Sequence, residues 1–223
     1  MVANHGWRLV TFSINEVETL VRKAAIGAGL DPGRADELAD AAVWLIELQV
    51  PVFELAYRAL SSAEGSPMTL AEDGTSAACP TTSAARVATS AVDILLVKPP
   101  GFTVTLDAVD EPLVVTTLAA VAARRYGTAF EIETASAKIA LQPGDFADLD
   151  PLIAERNLRM VLRRTGKNAS ATSEPAASSS RYDPENVADN GFANLEQLAH
   201  RTYVPASEKS RISGAGAGLT DND

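Results

Sequence analysis

Apolar positions in the first sixty residues recur every three or four places, the period of an amphipathic helix. Val17, Leu20, Val21 and Ala24 form one such stripe. Ahead of it, Ser13 and Glu16 stand at capping-box spacing, where each side chain can satisfy a free amide of the first turn. Gly27 or Gly29 supplies the stop. Asp31-Pro32 predicts the N-cap and first position of a second helix, with Ala35, Leu38, Ala39, Ala42, Val43 and Ile46 on its buried face. Pro51 opens a third stretch through Phe53, Leu55, Ala56 and Leu60. Residues 1–63 are therefore expected to form a helical subdomain.

After that the pattern breaks. Residues 64–90 are dominated by small and polar side chains with interspersed proline and glycine, and read as an irregular connector. Residues 91–165 are expected to hold the sheet-containing core. Within them Ala91–Lys98 is a continuous apolar run bounded by Pro99-Pro100, which predicts a strand buried on both faces. Phe102, Val104 and Leu106 alternate with Thr103, Thr105 and Asp107, as in a half-buried strand. Pro112 starts a helix through Leu113, Val114, Leu118, Val121 and Ala122 that Gly127 closes. "AFEIETA" and "AKIALQP" read as two more strands. Asn157–Thr165 reads as a last one, although its leucines and arginines also suit a helix. Residues 166–181 are a Ser-rich flexible loop, and 182–223 carry a helix around Phe192, Leu195, Leu198 and Ala199 followed by a Gly-rich tail. The expected class is α+β, with mixed α/β as the alternative: helices packed on a central sheet.

Composition narrows the function more than it names it. Hydrophobic residues make up 46% of the 223, enough to offset the ordering entropy of a core, while aromatics are only 5% and alanine fills much of the rest. That favours closely packed helices over a deep aromatic cavity. The net charge of −10 repels phosphate backbones and anionic lipid, so neither nucleic acid nor membrane is an expected partner. A single cysteine, Cys79, forbids an intramolecular disulfide, and the first residues lack the basic and long apolar regions of a signal peptide, so a cytoplasmic location is expected.

Candidate chemistry is sparse. His5 and His200 are the only histidines, and no H-x-x-x-H or C-x-x-C spacing occurs, so neither a metal site nor a cofactor is expected. The C-terminal stretch around Gly214, Gly216 and Gly218 superficially resembles a dinucleotide loop. That fingerprint needs a helix N-terminus after the loop, and only five residues follow Gly218. The tail is instead a candidate binding segment. Ser207, Glu208, Ser210 and Arg211 could meet a small anionic metabolite, with the three glycines allowing close backbone approach and His200 or Glu208 available as a proton carrier.

Ser13–Gly29 and Tyr203–Asp223 together resemble the two ends of a bacterial family, domain of unknown function 3726. The resemblance implies that the tail is a family feature, and it carries no activity, cofactor or catalytic residue. Phe12–Asp40 is also similar to the N-terminal helices of the malate/L-lactate dehydrogenases that lack a Rossmann fold. There a Ser-His-Gly segment follows; here the text is "LIELQVPVFELAYRAL", and no nicotinamide cofactor is implied. Two functions are expected. One is a non-catalytic accessory or small-molecule-binding protein beside a metabolic enzyme, as a homo-oligomer or bound to that enzyme. The other is a hydrolase, lyase or isomerase of a carboxylated metabolite that works through the tail.

Overall fold

A computed structural model of the chain describes residues 11–62, 65–143, 149–166, 181–184 and 188–203. The N-terminal helices are α1 (Ile14–Gly27), α2 (Pro32–Glu47) and α3 (Val52–Ser61), preceded by the short strand β1 (Phe12–Ser13). The first two begin where their local caps place them. Ser13 and Glu16 close the reciprocal capping box, and the Asp31 carboxylate accepts from the Arg34 amide at 3.0 Å. Then come β2 (Thr69–Leu70), β3 (Ser76–Cys79), α4 (Ala84–Val97), β4 (Thr103–Val109), α5 (Pro112–Tyr126), β5 (Ala129–Glu133), β6 (Lys138–Leu141), β7 (Leu158–Gly166), β8 (Arg181–Tyr182) and α6 (Phe192–His200).

The class is α+β. A mixed six-stranded sheet runs in the order β2-β3-β4-β7-β5-β6, with only β3 and β4 hydrogen-bonded in parallel. Both β4 and β5 lie antiparallel to β7, so β3, β4 and β5 share one direction and their carboxyl ends share one edge. Val104, Leu106, Phe130, Ile132, Met160 and Leu162 are buried, while the alternate positions Thr105, Glu131, Val161 and Arg163 are only part-covered. Helix α5 is the pivot of the molecule: it packs on α2, α4 and β5, and is buried almost without interruption from Pro112 to Ala123. Thr116 and Thr117 tolerate that burial by donating to the carbonyls of Pro112 and Leu113, one turn back.

One expected strand is a helix. Ala91–Lys98, read as a buried strand, is the second half of α4. Ala84, Ala85, Ala88, Ala91, Val92 and Leu95 make one buried stripe at helical spacing, and its first half lies in alanines that look like loop when the apolar run is read alone. The helix stops at Lys98, which takes an extended conformation (ψ 156°) because the following proline disfavours the helical one. The segment read as a connector also contains β3. Its small residues have little strand preference of their own, and pairing with Thr103–Leu106 organises them. Among the described residues no helix is long and apolar enough to cross a membrane.

Helix α3 has no side-chain cap of its own at Pro51; Asp189, far along the chain, supplies it. The Asp189 carboxylate accepts from the amides of Phe53 at 2.6 Å and Glu54 at 2.9 Å, and from the Tyr182 hydroxyl at 2.6 Å. Gly191 lies so close that an added Cβ would sit 2.2 Å from the Glu54 nitrogen. Gly27 does the same near the C-terminal end of α6, where a Cβ would meet the Leu198 carbonyl oxygen at 2.0 Å. Both Gly191→Ala and Gly27→Ala should therefore lose about 1–3 kcal/mol of stability through overpacking against backbone. Chemical denaturation monitored by circular dichroism checks this; unchanged midpoints would show that α6 can move away at little cost.

Candidate functional site

Strands β3 and β4 end side by side, and each turns at once into a helix: Pro80–Ser83 lead into α4, and Asp110-Glu111 into α5. The chain is bent on purpose here. A register shift between Leu106 and Val109 marks a bulge, and Ala108 adopts φ +46°, a left-handed conformation rarely tolerated by a residue with a Cβ. Beyond it, the Asp110 amide donates to the Thr82 carbonyl at 3.2 Å. Asp110 Oδ1 accepts from the Ala84 amide and from the Glu111 amide, both at 2.7 Å. Asp110 thus caps α4, a service that Ser83 at the N-cap position does not perform.

Glu111 is the centre of the cluster. Its side chain is only 3% exposed; Oε1 accepts from Arg58 Nε at 2.7 Å and forms an ion pair with Arg156 Nε at 3.2 Å. Arg58 comes from α3 and also pairs with Glu54 at 2.7 Å; Arg156 comes from the segment leading into β7. Each arginine keeps about a third of its side chain in solvent, 32% and 31%, so the two guanidiniums stand between the carboxylate and water. Burial pushes the Glu111 carboxyl above the ordinary carboxylate range. The hydrogen bond and charge of Arg58 and the charge of Arg156 oppose that rise, and neighbouring Asp110 adds to it.

Hydrogen bonding at this edge is incomplete. Ser83 Oγ, Asp110 Oδ2 and Glu111 Oε2 are buried with no hydrogen-bond partner among the described residues. An unpaired buried polar atom costs about 1–3 kcal/mol, so these three oxygens are open to a further hydrogen-bond partner, water or ligand. The arrangement offers two carboxylates, a hydroxyl, two helix N-termini and two guanidiniums, all of them tools for binding a small polar ligand. Cys79, at the end of β3, takes no part: it is buried, its thiol donating to the Ser66 carbonyl at 3.1 Å. Among the described residues no group of three or more His, Cys, Asp or Glu side chains could hold a metal ion.

Of the candidate binding residues read from sequence, only His200 lies among the described residues. Ser207, Glu208, Ser210, Arg211, Gly214, Gly216 and Gly218 lie outside the described residues, as does His5. His200 ends α6, its ring edge-on to Tyr203 at 5.1 Å, in a groove of about 390 Å³ shared with Phe12, Lys23, Phe192 and Glu196. None of the groove's residues belongs to the Glu111 cluster. Sequence reading missed Asp110 and Glu111 although a signal was present. Two adjacent carboxylates stand at the end of an alternating strand, immediately before a helix-starting proline. Arg58 and Arg156 carry no such mark, because only the tertiary fold brings them to the edge.

The cluster makes a pH-dependent prediction. Removing Arg58 leaves Glu111 with Arg156 alone, and a buried carboxylate short of a partner is costly. Arg58→Ala should lose about 2–4 kcal/mol at pH 8. A carboxyl whose folded pKa is raised regains stability as pH falls through that value, because the folded state then binds the proton more tightly than the unfolded chain. The loss should accordingly shrink at pH 5. Equal losses in urea titrations at both pH values would contradict it.

No curated protein matches the sequence. Among solved structures, malate dehydrogenase from Entamoeba histolytica is similar at 9% identity and a TM-score of 0.44, over 84% of this chain and 62% of that one. The chain thus spans less than two thirds of that enzyme's length, and a likeness of this size says nothing of what it binds or catalyses. The family resemblance carried by Ser13–Gly29 is borne out over a longer stretch: residues 12–80, from β1 through β3, match the family described as Protein of unknown function (DUF3726).

Proposed function

We propose that this is a non-catalytic small-molecule-binding protein acting beside a metabolic enzyme, and that its ligand docks at the carboxyl edge of β3 and β4. The observation that carries this reading is the set of three buried, unpartnered oxygens on Ser83, Asp110 and Glu111. A ligand that supplies hydrogen-bond partners to these oxygens would offset the cost of burying them. The strained Ala108 and the interlocked loops hold those atoms in place before any ligand arrives, which reduces the ordering cost of binding.

An enzymatic reading has one specific support, the raised pKa of Glu111 in a site with charged partners. A carboxyl displaced in that direction holds its proton more tightly than an ordinary one, the sense of shift that a general acid uses.

A thermal-shift screen against metabolites separates these readings. A ligand at a hundredfold excess over its Kd stabilises by about 2.7 kcal/mol, roughly 5–10 °C for a chain of this size. The shift should be lost in Ser83→Ala and Asp110→Asn. A hit that keeps its full shift in both variants would place binding elsewhere, and one consumed on incubation would make the protein an enzyme.

A further inference from the structure

The charge arrangement at the same edge narrows the ligand. Both guanidiniums engage Glu111 through Nε and through the same oxygen, Oε1. Arg58 spends Nη1 on Glu54, and Arg156 spends Nη1 on the carbonyls of Ile153 and Glu155. On both residues Nη2 makes no hydrogen bond among the described residues. Two cations held by one carboxylate oxygen thus keep a donor nitrogen each, on side chains that reach solvent. That is the equipment for an oxyanion, which two neighbouring guanidiniums bind through directed, charge-assisted hydrogen bonds.

The other oxygen of Glu111 completes the picture. An anion on the guanidiniums brings a second negative charge toward a carboxylate that already lacks water. It also competes for the two cations that keep that carboxylate ionised. Both effects favour the neutral acid. Oε2, buried and unpartnered, is the atom free to carry the proton, while Oε1 keeps accepting from Arg58 Nε and stays paired with Arg156 Nε. The charged groups around Glu111 are Arg58 from α3, Arg156 from the lead into β7, and Asp110 beside it, with Glu54 reaching the cluster through Arg58.

We propose that the ligand carries a small oxyanion, carboxylate or phosphate, held by Arg58 and Arg156 through Nη2, next to a donor group that meets Asp110 Oδ2, and that Glu111 takes up one proton from solvent as the oxyanion binds. This rests on reading the carboxyl edge as a binding site. Proton uptake makes the affinity pH-dependent. The anion binds tightest where Glu111 is already neutral, and affinity falls by up to about tenfold per pH unit above the pKa of the free protein's Glu111.

Isothermal titration of the full chain with acetate and with sulfate tests this, at constant ionic strength between pH 6 and 8.5, where neither probe titrates. Buffers of different ionisation enthalpy report the protons taken up. Saturable binding with up to one proton absorbed per anion is expected, acetate and sulfate distinguishing planar from tetrahedral preference. Glu111→Gln, which mimics the neutral acid, should bind with a flat pH profile and no proton uptake. Arg58→Lys and Arg156→Lys should each weaken binding about tenfold with unchanged circular dichroism. Absence of saturable binding by either anion overturns the proposal, and so does binding by the wild-type chain without proton uptake, a measurement that stands even if Glu111→Gln does not fold. Should anions fail while a neutral or cationic metabolite stabilises the protein in a Ser83- and Asp110-dependent way, the site survives and only its anionic ligand is wrong. Should neither kind of ligand depend on these residues, both readings fall.

Discussion

A carboxylate that folding removes from water must be given cations or a proton, and Glu111 is where this fold meets that requirement. It stands at the N-terminus of α5, the helix on which both layers pack, and draws Arg58 down from α3 and Arg156 from the approach to β7. Three elements far apart in sequence are thereby positioned by one oxygen atom. The desolvation involved is large enough that such a group is a weak source of stability by itself. Its consequence is specificity of place. Helix α3 can lie over the start of α5 only where its arginine reaches the carboxylate.

The same logic recurs at two other helix starts. Helices α3 and α4 lack side-chain caps of their own, and in both an aspartate from elsewhere supplies the acceptor: Asp189 for α3 and Asp110 for α4. Each remote cap does two jobs, because the amides it satisfies fix the loop that carries it. Asp189 brings Tyr182 and Gly191 against α3, which ties the C-terminal helix to the N-terminal ones. Asp110 ties the β3–α4 loop to the β4–α5 loop and so builds the edge.

This division explains what could be read from sequence. Helices α1 and α2 were legible because their caps lie within three residues of the amides they satisfy, and Gly127, at φ +58°, closes α5 where its position suggests. Strands β4, β5, β6 and β7 were legible from alternation or from apolar runs between turn residues. Helix α4 was not: its stripe is mostly alanine, which scores weakly as apolar, so the branched residues at its end dominated and suggested a strand. The candidate site was half legible. Asp110 and Glu111 stand in plain view before Pro112, but a carboxylate pair is ordinary until Arg58 and Arg156 meet it, and nothing in their spacing predicts that they will.

The alanine that hid α4 also bears on where a ligand can go. Helices faced with alanine approach one another and the sheet closely: α4 buries Ala85 and Ala88, and α5 buries its own Ala119 and Ala123. Dense packing of small side chains leaves little interior room, since a pocket requires either large residues to frame it or a gap between layers. Binding then moves to a boundary where chain direction changes and backbone amides and side chains are exposed together. The carboxyl ends of parallel strands are such a boundary in any sheet whose strands feed helices. Here the bulge at Ala108 turns that generic position into a specific one, because it sets the two residues after Val109 toward α3 and α4 at once. A chain with few aromatics and few histidines can therefore still carry a defined polar site, provided that remote caps and arginines converge on the end of a strand.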